Sequence, residues 1–542
     1  MWDDELYLNF NAPPLQVYFR PVMTLIYGTI LALFGAQPFI FHLIPVLFHI
    51  LTAVLLFYLF KRFFKENLAF FLSLVFLVHP ANVEAVCFAS ASQEVLFTFT
   101  GILGLYLLVR SKTISIGGIL LSIIFFTMSL LMKETGIVFF ALAFIYLIIF
   151  HRKNISSIQL YVAFAIVMVF TYAMIRFSGG NMYVQGMGLF PIMRVSFITR
   201  LINIPAIILF YLGSFLFPFK LEIAQQWVVR TMNFREFWLP LVVDIGFISL
   251  AIYALRYYTF RVIPTKVGIQ LDQLPLSAGR QVHANDKHTF LFFFLWFIIG
   301  LLPHIQLVAL NMTVAERWLY FPMIGLLGMM GTIVEGRKSR PKADRPLGEL
   351  VDSKKIQIGA TCIVALFFIR SFVRTLDWRN GLALYSSNIS QTSSFDLQNN
   401  MGVELFRIGK YTEAKKYFEK STRLAPYWWV NWNNLGASYE REKNIPKAQE
   451  SYEKSVHNGD YSLAYENLAK IYVVYGTDKK QTEAFLNKAL QMFPESETLR
   501  GLRERLGSWH QPDEVGERLH PRRLEDRRQK REDIKFIKFI KL

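Results

Sequence analysis

Between Phe39 and Ile369 the chain returns again and again to apolar runs of bilayer length. A spanning helix needs roughly 20 mostly apolar residues, and backbone polar groups in lipid are satisfied inside a helix. The runs are Phe39–Phe60, Asn67–Cys87, Val95–Val109, Ile114–Met132, Thr135–Phe150, Ile158–Ile175, Arg200–Phe217, Trp238–Tyr258, Thr289–Val308, Leu319–Val334 and Ile356–Ile369. They predict about eleven membrane helices. Pro21–Ala36 is shorter and reads as an amphipathic helix in the interface. Composition agrees: 53% of the 542 residues are hydrophobic, 51 are Phe and 18% are charged, against about 25% charged in soluble domains.

The 58 Lys and Arg outnumber the 40 Asp and Glu by 18. This excess sits in short loops and a basic tail, as the positive-inside rule expects, so it implies no nucleic acid. Cys87 and Cys362, both in apolar surroundings, imply neither a disulfide framework nor a zinc site. No cleavable signal is expected, because the first apolar stretch follows an acidic loop.

The basic groups Lys61, Arg62 and Lys65; Arg110 and Lys112; Arg152 and Lys153; Arg256, Arg261 and Lys266; and Arg337 to Arg345 mark five cytoplasmic loops. The intervening loops then share the opposite face. They hold Asp3 and Asp4, His79 and Glu84, Lys133 and Glu134, and Glu316 and Arg317. Full crossings at both Ile158–Ile175 and Arg200–Phe217 would put the flank of Trp238–Tyr258 on the wrong side. A partial Arg200–Phe217, or a further crossing within Asn181–Thr199, restores the parity. Two polar inserts, Pro264–His288 and Gly336–Lys355, read as disordered cytoplasmic loops.

After Ile369 the composition turns soluble, and a period appears. Gly402 and Gly436, Ala414 and Ala448, and Phe418 and Tyr452 each lie 34 residues apart. That is the tetratricopeptide period, and Trp432, Leu435, Gly436 and Tyr439 open the second unit. Residues 398–507 thus predict about three repeats, joined to the membrane region by a linker over 371–397. Three units stack into a solenoid with a concave face. Residues 508–542 read as a basic, disordered tail. The fold class is therefore all-α: a polytopic helical domain over residues 1–370, then an α-solenoid.

The charged groups at the membrane edge are the candidates for chemistry. An acidic pair held there is expensive and reads as a functional site by default. Asp3 or Asp4 would accept a proton from an attacking hydroxyl as general base. The second acid would orient the first or bind a divalent cation. His79 reads as a hydrogen-bonded interfacial residue, and Glu84 shares the site or caps helices. Lys133 and Glu134 form an internal ion pair, or Lys133 faces a phosphate. Arg317 has the planar fork that suits phosphate oxygens, with Glu316 neutralising it as the alternative. Tyr427, Trp428 and Trp429 fall between repeats, where partial exposure would let them stack on an acceptor peptide.

In order, WDDELYLNFN, FRPV, GAQPFIFHLIPVLFH, HPANVEAV, MKETG and AERWLYFP, followed by the repeats, resemble the transmembrane-and-tetratricopeptide O-mannosyltransferase-like proteins of the GT-C superfamily. The resemblance runs from Trp2 to about Pro494 and lies in the order of the motifs. It implies a polyprenyl- or dolichyl-phosphate sugar donor, an extracytoplasmic acceptor, and Asp3 or Asp4 as the first-loop acid. It places the chain in a bacterial inner membrane or the endoplasmic reticulum. It also implies a helix ahead of the acidic loop, so an upstream start or a truncation is expected at Met1. Where relatives carry Arg-Asp or Arg-Glu, this chain has Gln93-Glu94. Lys133, Arg317 or Arg20 would then supply the missing charge. Two other classes compete: a non-catalytic scaffold recruiting a partner through its repeats, and a lipid-linked sugar transporter. No inverted repeat favours the transporter.

Overall fold

A computed structural model describes residues 19–111, 113–178, 190–223, 225–260, 277–338, 353–389 and 394–507. Asp3, Asp4 and the tail lie outside the described residues. The described chain divides into two compact units, one up to Trp378 and one from Arg379.

The first unit is helical, with no strand among its described residues beyond an isolated bridge between Gln225 and Val314. The eleven apolar runs are largely helical, with Asn67–Cys87 split between Glu66–Val78 and Val83–Cys87. Eight helices are long and apolar enough to cross a membrane: Pro38–Phe60, Ala89–Val109, Glu134–His151, Ile155–Ser178, Phe197–Leu216, Phe234–Tyr257, Asp286–His304 and Ile358–Asp377. A further candidate, Glu66–Val78 with Pro80–Cys87, bends by 50° at His79. Ile116–Met132 and Pro322–Glu335 are shorter, as is Pro21–Phe34. This is a multi-pass membrane protein.

Three expectations change. Phe197–Leu216 is a continuous helix of 20 residues, against the first of the two alternatives, a partial segment; the second, a crossing within Asn181–Thr199, lies partly outside the described residues. The length of Phe197–Leu216 suffices to cross, and the break in the unit falls instead at His79. Helix Ser277–Leu301 begins inside the first polar insert, so residues 277–288 are helical rather than disordered. The last helix runs Ser353–Asp377, past Ile369, and a further helix Gly381–Ile389 follows. Much of the stretch read as a linker is therefore helical.

Small residues set how closely these helices approach, as is usual where lipid supplies no drive to associate. A Cβ on Gly325 would come 2.5 Å from the backbone nitrogen of Phe297 and 2.7 Å from the carbonyl of Phe293. Gly101 lies directly under the Phe139 ring. Phe139 in turn stacks on Phe126 at 5.9 Å and meets Phe321 edge-on at 4.9 Å.

The second unit is a leading helix, Gly381–Ile389, three helix pairs and a closing helix. The pairs are Phe395–Arg407 with Tyr411–Leu424, Trp429–Arg441 with Ile445–Asn458, and Ser462–Tyr475 with Lys479–Met492. Glu497–Gly507 covers the last pair through Leu499, Leu502 and Leu506. The period has a visible cause. The Phe418 ring packs on Gly402, and 34 residues later the Tyr452 ring packs on Gly436. Leu382, Tyr385 and Ile389 of the preceding helix pack on the first pair.

Candidate functional site

The breaks between membrane helices carry the polar chemistry of the first unit. Lys133 ends helix Ile116–Met132 in extended backbone, and Glu134 opens a short 3-10 turn. Glu84 lies in the short helix Val83–Cys87, and Glu94 in the first turn of Ser92–Val109. Glu316 and Arg317 sit in the 3-10 turn Glu316–Leu319. Burying such groups is costly unless they are paired.

They are paired, though not with their neighbours in sequence. Lys133 donates to Glu94, both buried. Glu134 accepts two hydrogen bonds from Arg20, at 3.0 and 3.2 Å. Glu84 accepts from the Arg317 guanidinium and, at 2.9 Å, from the Arg317 backbone N–H. Glu316 faces Arg374 at 3.6 Å, and Arg374 also reaches Asp377 at 3.1 Å. The Lys133–Glu134 and Glu316–Arg317 pairings, one of two alternatives for each, are thus replaced by long-range ones. Consecutive residues on a helical turn do not face each other.

These pairs form one neighbourhood. The charges of Arg20 and Glu134 act on Lys133. Those of Lys133 and Arg317 act on His304, and that of Glu84 acts on Glu316. Aromatic faces line it: Phe97 lies 5.3 Å from the Lys133 ammonium, and Phe88 and Trp318 lie 5.9 and 5.7 Å from the Arg317 guanidinium. Burial pushes the Glu316 carboxyl up, and Arg374 opposes that. Burial pushes the Lys133 ammonium down, and Glu94 opposes that.

His79 stands apart. Its Nε2 hydrogen-bonds the Phe215 carbonyl at 3.0 Å, its Nδ1 accepts from the Ala81 N–H, and its ring stacks on Phe215. It caps the bend and closes it against helix Phe197–Leu216. In the second unit, Trp428 meets Phe395 edge-on at 4.9 Å, Trp429 packs on Gly459, and Tyr427 is half-buried beside Phe395. These aromatics are partly committed to packing. Asp3 and Asp4 lie outside the described residues, and no three metal-binding side chains converge among the described ones.

Sequence reasoning named Glu94 only as a departure from the relatives' pattern and missed Arg374 and His304. Glu94 showed itself as a lone acid opening an apolar run, and Arg374 as a cation just past one. His304 had only its place after Pro303, between apolar stretches, to mark it.

A polytopic helical unit with buried ion pairs at its helix breaks, carrying a helical-repeat solenoid, is the class of molecule these two units define. Comparison with known proteins is consistent with it. Residues 14–176 match the family described as dolichyl-phosphate-mannose-protein mannosyltransferase, and residues 395–427 match the tetratricopeptide repeat. The chain is 22% identical over 424 residues to Protein O-mannosyl-transferase F38B6.6 of Caenorhabditis elegans, covering 75% of this chain and 54% of that protein. It is 22% identical over 476 residues to human Protein O-mannosyl-transferase TMTC3, covering 80% and 47%. With human Protein O-mannosyl-transferase TMTC1 it shares 33% over 141 residues, 24% of this chain and 16% of that one. The chain spans about half the length of the two long matches. In both units it resembles the transmembrane-and-tetratricopeptide O-mannosyltransferase-like proteins of the GT-C superfamily.

Proposed function

We propose that this chain is a membrane glycosyltransferase that moves a sugar from a polyprenyl-phosphate donor to an extracytoplasmic acceptor, protein hydroxyls included. The match of residues 14–176 to a mannosyltransferase family carries this reading. The acceptor oxygen attacks the anomeric carbon, and its proton passes to Asp3 or Asp4. The bond from that carbon to the phosphate oxygen breaks, and the electron pair leaves on the phosphate. One displacement inverts the centre. Lys133, Arg317 and Arg20 supply the positive field that stabilises the departing phosphate. Glu94, Glu84 and Glu134 hold those cations in place. His79 holds the bend between Glu66–Val78 and Pro80–Cys87. The repeats, with Tyr427, Trp428 and Trp429, hold a protein acceptor and raise its effective concentration.

The test is transfer from a labelled polyprenyl-phosphate mannose by the full chain in membranes. Label is expected in a protein acceptor and, less efficiently, in a small soluble one. Replacing the catalytic acid, by Asp3→Asn or Asp4→Asn, should lower the rate on the order of 10²–10⁴-fold with donor binding intact. Full activity in both variants removes the base assignment. No transfer from any polyprenyl-phosphate sugar removes the reading.

A further inference from the structure

His304 is a buried histidine that the charges of Lys133 and Arg317 reach. It closes the short 3-10 turn Leu302–His304 after helix Ser277–Leu301 and is 6% exposed. Its ring stacks on Trp318 at 4.9 Å and 11°. Trp318 also lies beside the Arg317 guanidinium, and His304 is within electrostatic reach of both Lys133 and Arg317. Its Nδ1 is buried with no hydrogen-bond partner among the described residues. By contrast His49 and His79, equally buried, each engage both ring nitrogens.

An orphaned buried nitrogen calls for an explanation. Elsewhere among the described residues, Oε1 of Glu134 and Oγ1 of Thr135 are orphaned as well. The flanking cations, meanwhile, are already committed: Lys133 to Glu94, Arg317 to Glu84 and Arg20 to Glu134. The carboxylates hold the three cations in place and take up hydrogen bonds from them. What such a site needs is a donor held in place by something other than a carboxylate. An imidazole fixed by stacking supplies one.

We propose that His304 donates a hydrogen bond to a phosphate group bound between Lys133 and Arg317, and is a substrate-contacting residue of this site. The assignment rests on the glycosyltransferase reading, which supplies the phosphate. Trp318 fixes the plane of the ring, so the N–H is aimed before the phosphate arrives. As the bond to the sugar breaks, charge on the phosphate rises and this bond strengthens, which favours the transition state over the bound donor.

The experiment uses the full chain in lipid nanodiscs, with a short-chain polyprenyl phosphate and inorganic phosphate as the two probes. Losing one hydrogen bond to a charged acceptor should weaken phosphate binding by about 10-fold or more in His304→Ala. His304→Asn, which keeps an N–H, should recover most of it. In the unaltered chain, polyprenyl phosphate should protect His304 from diethylpyrocarbonate, read by mass spectrometry; this arm depends on no variant folding. Stronger protection by the lipid identifies a lipid headgroup as the source, and stronger protection by inorganic phosphate identifies the free ion. Wild-type affinity in His304→Ala, or failure of Asn to do better than Ala, overturns the proposal. If the wild type transfers sugar while His304→Ala binds normally, only the role of His304 falls. If no transfer occurs yet phosphate protects His304, the transferase reading falls and the subsite stands. Absence of both transfer and protection overturns both.

Discussion

The two units bury polar groups in opposite ways. The membrane unit buries charge. Glu84, Glu94, Lys133, Glu316, Arg317 and Arg374 are each at most 9% exposed. The repeat unit buries mostly uncharged groups, amides among them, with Asp396 and Glu404 as buried acids. Asn399, Asn433 and Asn434 lie inside it, and Asn434 donates to Asn399 at 2.9 Å. Asn467, one period on, donates to Asn433 at 2.9 Å. The ion pairs of the repeats sit nearer water, as with Lys415 and Glu442, whose side chains are 23% and 36% exposed. A neutral amide ladder stitches neighbouring repeats at modest desolvation cost. A buried ion pair is a poor stabiliser, because removing two charges from water offsets most of their attraction. The membrane unit keeps three such pairs among its described residues, Lys133–Glu94, Arg317–Glu84 and Arg374–Glu316, which stacking helices alone does not require.

The largest expected effect follows from that contrast. Arg317→Met leaves the Glu84 carboxylate buried without its counter-charge and should destabilise the membrane unit by about 3–5 kcal/mol. Thermal unfolding in detergent reads this. Glu84→Gln added to Arg317→Met removes the stranded charge and keeps an acceptor for the Arg317 backbone N–H. The double variant should regain most of the stability while sugar transfer stays lost. A double variant no more stable than Arg317→Met would mean that the pair stabilises the fold outright, and the contrast between the units would collapse.

Much of this molecule was legible in the sequence, and its limits have physical causes. Helices announced themselves by length and hydropathy, and the repeats by a 34-residue period that Gly402 and Gly436 anchor against Phe418 and Tyr452. Hydropathy ended the last membrane helix at Ile369. The helix continues to Asp377, and Arg374 within that extension is 1% exposed. A charge buried by a distant partner looks like a loop charge until the partner is known. The site residues were legible as types, their partners were not. Lys133 pairs 39 positions back with Glu94, Glu134 pairs 114 positions back with Arg20, and Arg317 pairs 233 positions back with Glu84. Adjacent opposite charges suggested local neutralisation, and helix packing overrode it.

A smaller effect sharpens the other side of the comparison. Asn434→Ala removes the donor to Asn399 and should cost the repeat unit about 1–3 kcal/mol. Hydrogen exchange in the full chain should show faster opening of helices Phe395–Arg407 and Trp429–Arg441, with the membrane helices unaffected. Equal acceleration in both units would mean that the units unfold together. A change as large as that in Arg317→Met would erase the distinction between amide and charge.

The smallest effect comes from the chemistry of Arg317 and Glu84 repeated nearer water. Lys415 donates to both oxygens of Glu442, at 2.7 and 2.8 Å, joining the first helix pair to the second. Here both partners keep water, so the pair forms without the desolvation that burdens Arg317 and Glu84, and each partner is solvated when the other is lost. Glu442→Gln should therefore change stability by no more than about 1 kcal/mol, with the difference shrinking further in high salt. The hydrogen bond to Glu442 holds the Lys415 ammonium above its ordinary range. A raised folded pKa in a basic group stabilises fully below the unfolded value and loses that contribution as pH rises through the folded one. Wild type and Glu442→Gln should thus differ by a constant small amount from neutral pH up to the ordinary Lys range and converge only in strong alkali. Unfolding followed by circular dichroism against pH measures this. A difference as large as that for Arg317→Met, or one that vanishes near neutral pH, would show that exposure is not what separates the two pairs.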